Sequence, residues 1–153
     1  MIRSVKKRDP AITSKIMAAV RCGHTEPENL LGKALWANGF RYRRQYRLLI
    51  GRPDFVLVSQ RAAIFVDGDF WHGRGWKERG FKSRDEQFRT RKSFWSKKIS
   101  DNMARDRRVN TTLRRDGWNV IRVWESEVRR NLPKCITKIQ ARIKKLPDPL
   151  VHA

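Results

Sequence analysis

The sequence predicts an α/β fold in which one mixed β-sheet carries helices on both faces. Three observations lead there. Residues 54–59 (DFVLVS) and 62–66 (AAIFV) are short, continuous apolar runs, as expected of buried strands. Residues 91–115 repeat apolar side chains at helical spacing. Residues 118–124 (WNVIRVW) alternate like a further strand, and a basic helical segment follows them.

In chain order, residues 1–9 read as a flexible basic arm, 10–146 as a single domain and 147–153 as a tail. Residues 10–21 (PAITSKIMAAVR) suit a short helix. The next helix has clear start signals. Thr25 can cap it, Pro27 suits an early position, and Glu26 and Glu28 complement its dipole. Leu31, Leu35 and Trp36 share one of its faces, and it stops near Gly39. Residues 40–50 alternate roughly and are rich in Arg and Tyr, as in a strand with one wet face. A tight turn at Gln60 and Arg61 joins the two buried strands, and residues 73–88 read as loop. The long helix ends at Gly117. A last basic helix is expected over about 127–145, ending before Pro147. The order is α-α-β-β-β-α-β-α.

At 153 residues the chain is long enough for one real core. It carries 36 Lys and Arg against 15 Asp and Glu, a net charge of +21. The cations recur at 6–8, 41–47, 89–98, 105–108 and 138–145, so the charge covers a folded domain and not one tail. That distribution points to a nucleic acid as partner. A membrane surface is disfavoured, because no helix has the broad apolar face that seats in lipid. The longest wholly apolar run, 62–66, is far short of a span, and the basic N-terminus has no apolar signal region. Cys22 and Cys135 form no metal-like spacing and no disulfide framework, so a reducing cytoplasm is the default. Six Trp and seven Phe are many for this size; some must be core, and for any surplus, flat rings beside cations suit base stacking.

Four groups of residues carry chemistry. On the long helix Trp95, Ile99, Asn102, Asp106, Val109 and Leu113 step by 4, 3, 4, 3, 4 and share one face. Asn102 and Asp106 occupy a stripe where apolar residues belong, and a carboxylate there is costly without a partner. It is either half of a structural ion pair or part of a site. Asp54 follows Pro53 and opens a buried strand. It can cap a turn, or it can supply a hard oxygen ligand to Mg²⁺ against a phosphate. Residues 65–73 (FVDGDFWHG) run a buried strand into Asp67, Asp69, Phe70, Trp71 and His72. If the two strands are antiparallel neighbours, Asp67 leaves the sheet at the same end as Asp54, and His72 is a natural general base there. Glu28 shares its helix face with Leu31 and Leu35. It is either a buried acid of the same site or a favourable charge in a first turn.

The segments GRPDFV (51–56), FVDGDFWHG (65–73), FW..KI..N..RDRR (94–108) and GWNVIRVWE (117–125) resemble the very short patch repair (Vsr) DNA mismatch endonucleases, in order and spacing. TSKIM (13–17) and the helix of Thr25 and Glu28 are similar to that family's N-terminal region, so the resemblance covers roughly residues 10–130. It implies a variant of the restriction-endonuclease fold. It also implies an enzyme that nicks one strand beside a thymine mispaired with guanine, ahead of repair of deaminated 5-methylcytosine. Under this resemblance Asp54 is the Mg²⁺-ligating aspartate and the backbone carbonyl of Val66 a second ligand, with Asp67 a further candidate. His72 is the catalytic base. Asp106 supports that histidine or the metal's water, and Glu28 is an N-terminal acid of the site. Phe70, Trp71 and Trp95 form an aromatic wedge for the base stack, with Met17 its partner from the other groove. Lys98 and Asn102 fall where the family reads the mispair. Wedging between base steps costs a few kcal/mol per step, and a mispair lowers that cost.

One departure is expected to matter. Most of the family bind a structural zinc through cysteines and histidines, but those positions carry Asp69, Arg74 and Ser126 here, so no zinc is expected. Trp76 and Phe81 are then expected to hold the loop at 73–90. The resemblance further implies a monomer acting on double-stranded DNA at the bacterial nucleoid in the cytoplasm, alongside mismatch-repair factors. Two other readings stay open from sequence. One is a site- or structure-specific nickase in genome defence without mismatch recognition. The other is a basic DNA-binding protein without catalysis, disfavoured because converging acids repel phosphate.

Overall fold

The structure is a computed structural model that describes residues 24–88 and 90–144. The expected arm, the helix over 10–21 with Met17, Cys22 and the tail lie outside the described residues. The central element is β3 (Ala62–Asp67), whose six residues are all buried. Such a strand needs a partner on each edge and a cover on each face. On one edge β2 (Phe55–Leu57) pairs antiparallel, with Phe55 opposite Ile64 and Leu57 opposite Ala62. On the other edge β4 (Asn119–Trp124) pairs parallel, from Ala62 opposite Asn119 to Asp67 opposite Trp124. The two-residue β1 (Arg43–Arg44) pairs antiparallel with β2 and completes a mixed sheet in the order β1-β2-β3-β4.

Side chains alternate across the sheet, so each face has its own cover. Phe55, Leu57, Ile64, Val66, Ile121 and Val123 belong to one cluster. It is closed by Leu31 and Leu35 of α1 (Glu26–Ala37), Val128 of α4 (Glu125–Arg130) and Ile136 and Ile139 of α5 (Leu132–Lys144). On the other face Ala63, Phe65 and Val120 meet Val109 and Leu113 of α3 (Lys92–Arg115). Each large apolar side chain buried in this way contributes roughly 1.5–3 kcal/mol. The expected mixed sheet with helices on both sides is what forms. The same alternation sends Asp54, Asp67 and Arg122 toward the face covered by α3, the helix that carries Asp106.

Several local expectations are corrected. Thr25 holds the N-cap position of α1 without a side-chain cap bond. Glu28 accepts the His24 N–H instead, at 2.8 Å, because a carboxylate three residues into the helix can reach back as a stronger acceptor. Trp36 is 54% exposed, outside the core, with the Arg41 guanidinium over its ring. The strand expected over 40–50 is reduced to β1, because Gln45 turns to φ +49 and residues 46–52 leave the ladder as a loop. The loop at 73–88 contains a short helix, α2 (Gly75–Glu78), and a 3₁₀ turn (Asp85–Gln87). The last helix is two. Asn131 interrupts it, and Pro133 lacks the N–H that would continue α4 but suits the first turn of α5.

Gly51 ties the 46–52 loop to α3. It has φ +80, and a Cβ there would lie 2.5 Å from Val109 Cγ1. Gly39, at φ +86, has nothing within 4 Å. Gly39→Ala should therefore cost only the backbone term, roughly 1–2 kcal/mol. Gly51→Ala adds a collision with a packed helix and should cost roughly 2–5 kcal/mol by chemical denaturation. Equal costs for the two would contradict the packing of this loop on α3.

Candidate active site

The strand ends open into a cleft of about 470 Å³, lined by Asp54, Val66, Asp67, His72, Asp106 and Arg122 among others. The antiparallel pairing of β2 with β3 brings the first two acids to one end of the sheet. Asp54 Oδ2 accepts the Val66 N–H at 2.7 Å, which locks the mouth of β2 onto β3. Asp54 Oδ1 accepts from Gln45 Nε2 at 3.2 Å, and the same amide lies 3.4 Å from Glu28 Oε2. Glu28 is 7% exposed and also pairs with Arg44 at 3.4 Å. Its two readings thus coexist: it closes the start of α1 and reaches Asp54 through one shared amide. Burial pushes the Asp54 carboxyl up to about 6. The Val66 N–H opposes that rise, and the charges of Glu28 and Asp67 add to it.

The other half of the cleft is built around a histidine. His72 Nδ1 hydrogen-bonds Asp106 Oδ2, and His72 Nε2 lies 3.8 Å from Asp67 Oδ1. Burial favours the neutral ring, but the Asp106 hydrogen bond and the charges of Asp67 and Asp106 outweigh it and raise the His72 pKa. Burial would likewise raise Asp106, yet its bond to His72, together with the charges of His72 and Arg122, holds it below the ordinary carboxylate value. Asp67 is raised by burial, with His72 and Arg122 opposing. With Nδ1–H donating its hydrogen bond to Asp106, the neutral ring keeps its lone pair on Nε2. An Asp-His pair of this kind can accept a proton from water and stabilise the resulting imidazolium.

Phe70 and Trp71 precede His72 directly and belong to neither core cluster. They are half-buried in a separate group of rings. Ring centroids lie 5.0 Å apart for Phe70 and Trp71, 5.6 Å for Phe70 and Trp95, and 5.9 Å for Trp71 and Trp95. The Lys98 ammonium sits 5.4 Å from the Trp71 ring centroid, and the Asn102 amide donates to the Trp71 carbonyl at 3.2 Å. Helix α3 therefore offers Asn102 to the aromatic loop and Asp106 to the histidine from one stripe.

The loop is fastened differently from the expectation. Trp76 Nε1 donates to the Gly73 carbonyl at 3.0 Å, but Phe81 is exposed. The firmer hold is polar. Asp69 accepts from Ser126 Oγ at 2.6 Å and from Ser126 N at 3.1 Å, and Arg74 Nη1 donates to Glu127 Oε1 at 2.9 Å. The three positions singled out as departures thus join the loop to the start of α4.

The chain is similar to known proteins. Residues 5–78 match the family described as DNA mismatch endonuclease Vsr. The chain is 40% identical over 121 residues to the DNA mismatch endonuclease Vsr of Escherichia coli (strain K12), covering 79% of this chain and 74% of that one. It is 42% identical over 119 residues to the type II nicking enzyme V.HpaIIP of Haemophilus parainfluenzae, covering 78% and 81%. It is 36% identical over 135 residues to the type II nicking enzyme V.NmeDIP of Neisseria meningitidis serogroup C, covering 88% of each. The chain belongs to the Vsr DNA mismatch endonuclease family. It is accordingly a DNA endonuclease, and the reading without catalysis is set aside.

Nucleases of this kind are generally divalent-metal dependent, and the donors of this Vsr protein can be tested for fit. Among the described residues no group of three His, Cys, Asp or Glu side chains is placed to hold a metal. Mg²⁺ does not need one, since it keeps several waters and commonly takes one or two carboxylates. Asp54, half-buried beside the charges of Glu28 and Asp67 and raised by burial, fits that role, with Val66 beside it on β3. Asp67 is less available, because both its oxygens take Arg122 Nη1, at 2.8 and 3.1 Å. Arg122, which lines the cleft, and Gln45, which bonds Asp54, were not among the residues singled out from sequence. Arg122 had a signal, since it breaks an apolar alternation on a buried face. Gln45 had none, because its position depends on a positive φ that the residue type does not announce.

A stability consequence follows from Asp54. Its carboxyl binds a proton more tightly in the folded state than in the unfolded one. Stability is therefore undiminished below about pH 4, falls as pH rises toward 6, and carries the full penalty above that. Asp54→Asn keeps an oxygen for the Val66 N–H and removes the charge. In metal-free buffer at pH 8 it should be more stable than wild type by at most about 3 kcal/mol, the gain vanishing near pH 4. A less stable Asp54→Asn at pH 8 would contradict the buried, uncompensated acid.

Proposed function

We propose that the protein is a Mg²⁺-dependent endonuclease that nicks one strand of double-stranded DNA beside a thymine mispaired with guanine, in very short patch mismatch repair. The observation that carries this reading is one loop in which Phe70, Trp71 and His72 are consecutive. It sets rings that no core requires directly beside an Asp-paired histidine.

In this mechanism His72 Nε2 removes the proton from the attacking water, and Asp106 orients the ring and stabilises the imidazolium. Asp54 and the Val66 carbonyl would hold the cation, with Asp67 as a further candidate. The cation, when bound, supplies positive charge against the charge developing on the phosphate. Glu28 acts on Asp54 through Gln45. Phe70, Trp71 and Trp95 enter the base stack, with Met17 as partner, and Lys98 and Asn102 read the mispair. In the free protein both of these already touch Trp71, so reading and wedging would be coupled. The +21 charge supplies phosphate contacts that are blind to sequence. The protein is taken to act as a monomer, and the bacterial relatives favour a role on bacterial DNA. Among the described residues no helix is long and apolar enough to cross a membrane.

The names of two relatives, type II nicking enzymes, motivate one alternative: a nickase that needs no mismatch. Duplexes that differ only in a T:G or T:A pair separate the two readings. Wild type should nick the mismatched duplex selectively and only with Mg²⁺. His72→Ala should slow nicking by about 10²–10⁴-fold. Phe70→Ala and Trp71→Ala should melt close to wild type yet lose the preference, leaving binding that weakens with salt. Core rings would instead cost about 3–5 kcal/mol on truncation. A large drop in melting temperature with the preference intact would remove the wedge and favour the alternative.

A further inference from the structure

Arg122 sits opposite Phe65 on β4, on the sheet face that α3 covers. A cation on that face is costly unless it is held, and Arg122 is held on three sides. Its Nη1 donates to Asp67 at 2.8 and 3.1 Å and lies 3.7 Å from Asp106 Oδ1. Its Nε donates to Asn110 Oδ1 at 2.8 Å. Its guanidinium carbon lies 4.1 Å from the Phe65 ring centroid. The remaining nitrogen, Nη2, has no acceptor among the described residues. The side chain is 19% exposed and lines the same cleft as Asp54, Val66 and His72.

A mere countercharge for Asp67 does not need this arrangement. One N–H on one carboxylate would do, and a compact ammonium could supply it. A planar fork whose first arm is tied down and whose second arm is unused presents two N–H groups in a fixed direction. Beside the groups that would activate water, the partner that matches them is a phosphate oxygen. We infer that Arg122 is a further catalytic residue, whose Nη2 donates to a non-bridging oxygen of the scissile phosphate while Asp67, Asn110 and Phe65 fix the guanidinium. The inference rests on the nicking reading above. A preorganised donor of this kind, removed from a developing oxyanion, typically costs about 10²–10³-fold in kcat.

Single-turnover nicking, DNA affinity without metal and thermal melting, measured on the same variants, test it. Arg122→Lys keeps a cation beside Asp67 but loses the fork. It should melt and bind DNA like wild type while kcat falls by about 10²-fold. A second comparison guards against misfolding. Asp67→Asn with Arg122→Gln removes both charges together, and its rate against Asp67→Asn alone reads Arg122. The double variant should be slower by about 10²–10³-fold. Wild-type kcat in Arg122→Lys, or equal rates for the double variant and Asp67→Asn, would reduce Arg122 to a countercharge and overturn the inference. Should Asp67→Asn itself be inactive, Arg122→Lys against wild type decides. Absence of nicking by the wild-type protein is a different result, and overturns the nicking reading itself.

Discussion

The hydrogen bond between His72 and Asp106 joins a loop to a helix 34 residues further along the chain. Much of the site depends on it. It selects the histidine tautomer, holds the aromatic loop against α3, and gives Asp106 a reason to occupy a stripe of buried residues. The cost of placing a carboxylate there is offset because the histidine, Arg122 and Arg105 answer it. The same rule explains the rest of the cleft. Asp67 is answered by Arg122 and His72, Glu28 by Arg44 and the His24 N–H. Among the described residues Asp54 has two neutral donors and no cation paired with it. That imbalance is why the proposed reading assigns the divalent ion to Asp54.

Most of this was legible in the residues, for identifiable reasons. The two short apolar runs read as buried strands, and the steps of 4 and 3 along the long helix put Asn102 and Asp106 on its inner face. Antiparallel pairing of β2 and β3 was a conditional expectation, and once it holds, Asp54 and Asp67 must emerge together. Illegible features were those decided by a local conformation or a single residue. Gln45 enters the site by adopting φ +49, and Asn131 divides the last helix. Trp36 has the right spacing for the core but stacks under Arg41 at the surface, because spacing fixes direction and not depth of burial.

The positions that the resemblance marks as departures carry polar side chains that fasten the loop. Asp69, Ser126, Arg74 and Glu127 close a contact between the aromatic loop and α4 with charge-assisted hydrogen bonds. Such bonds are individually modest in water but stronger where solvent is partly excluded. The loop they fasten carries both the rings and the histidine. The proposed recognition and catalysis would therefore be anchored by one segment, and a distortion at either end would reach the other.

The central claim is that Asp106 acts through His72. The most direct measurement is the single-turnover nicking rate of His72→Ala, Asp106→Asn and the double variant on one mismatched duplex. If the two residues form one unit, the double variant should be no slower than His72→Ala alone, because the second loss has nothing left to disable. If the two losses multiply instead, Asp106 acts independently of the histidine, and the two residues do not form a catalytic pair.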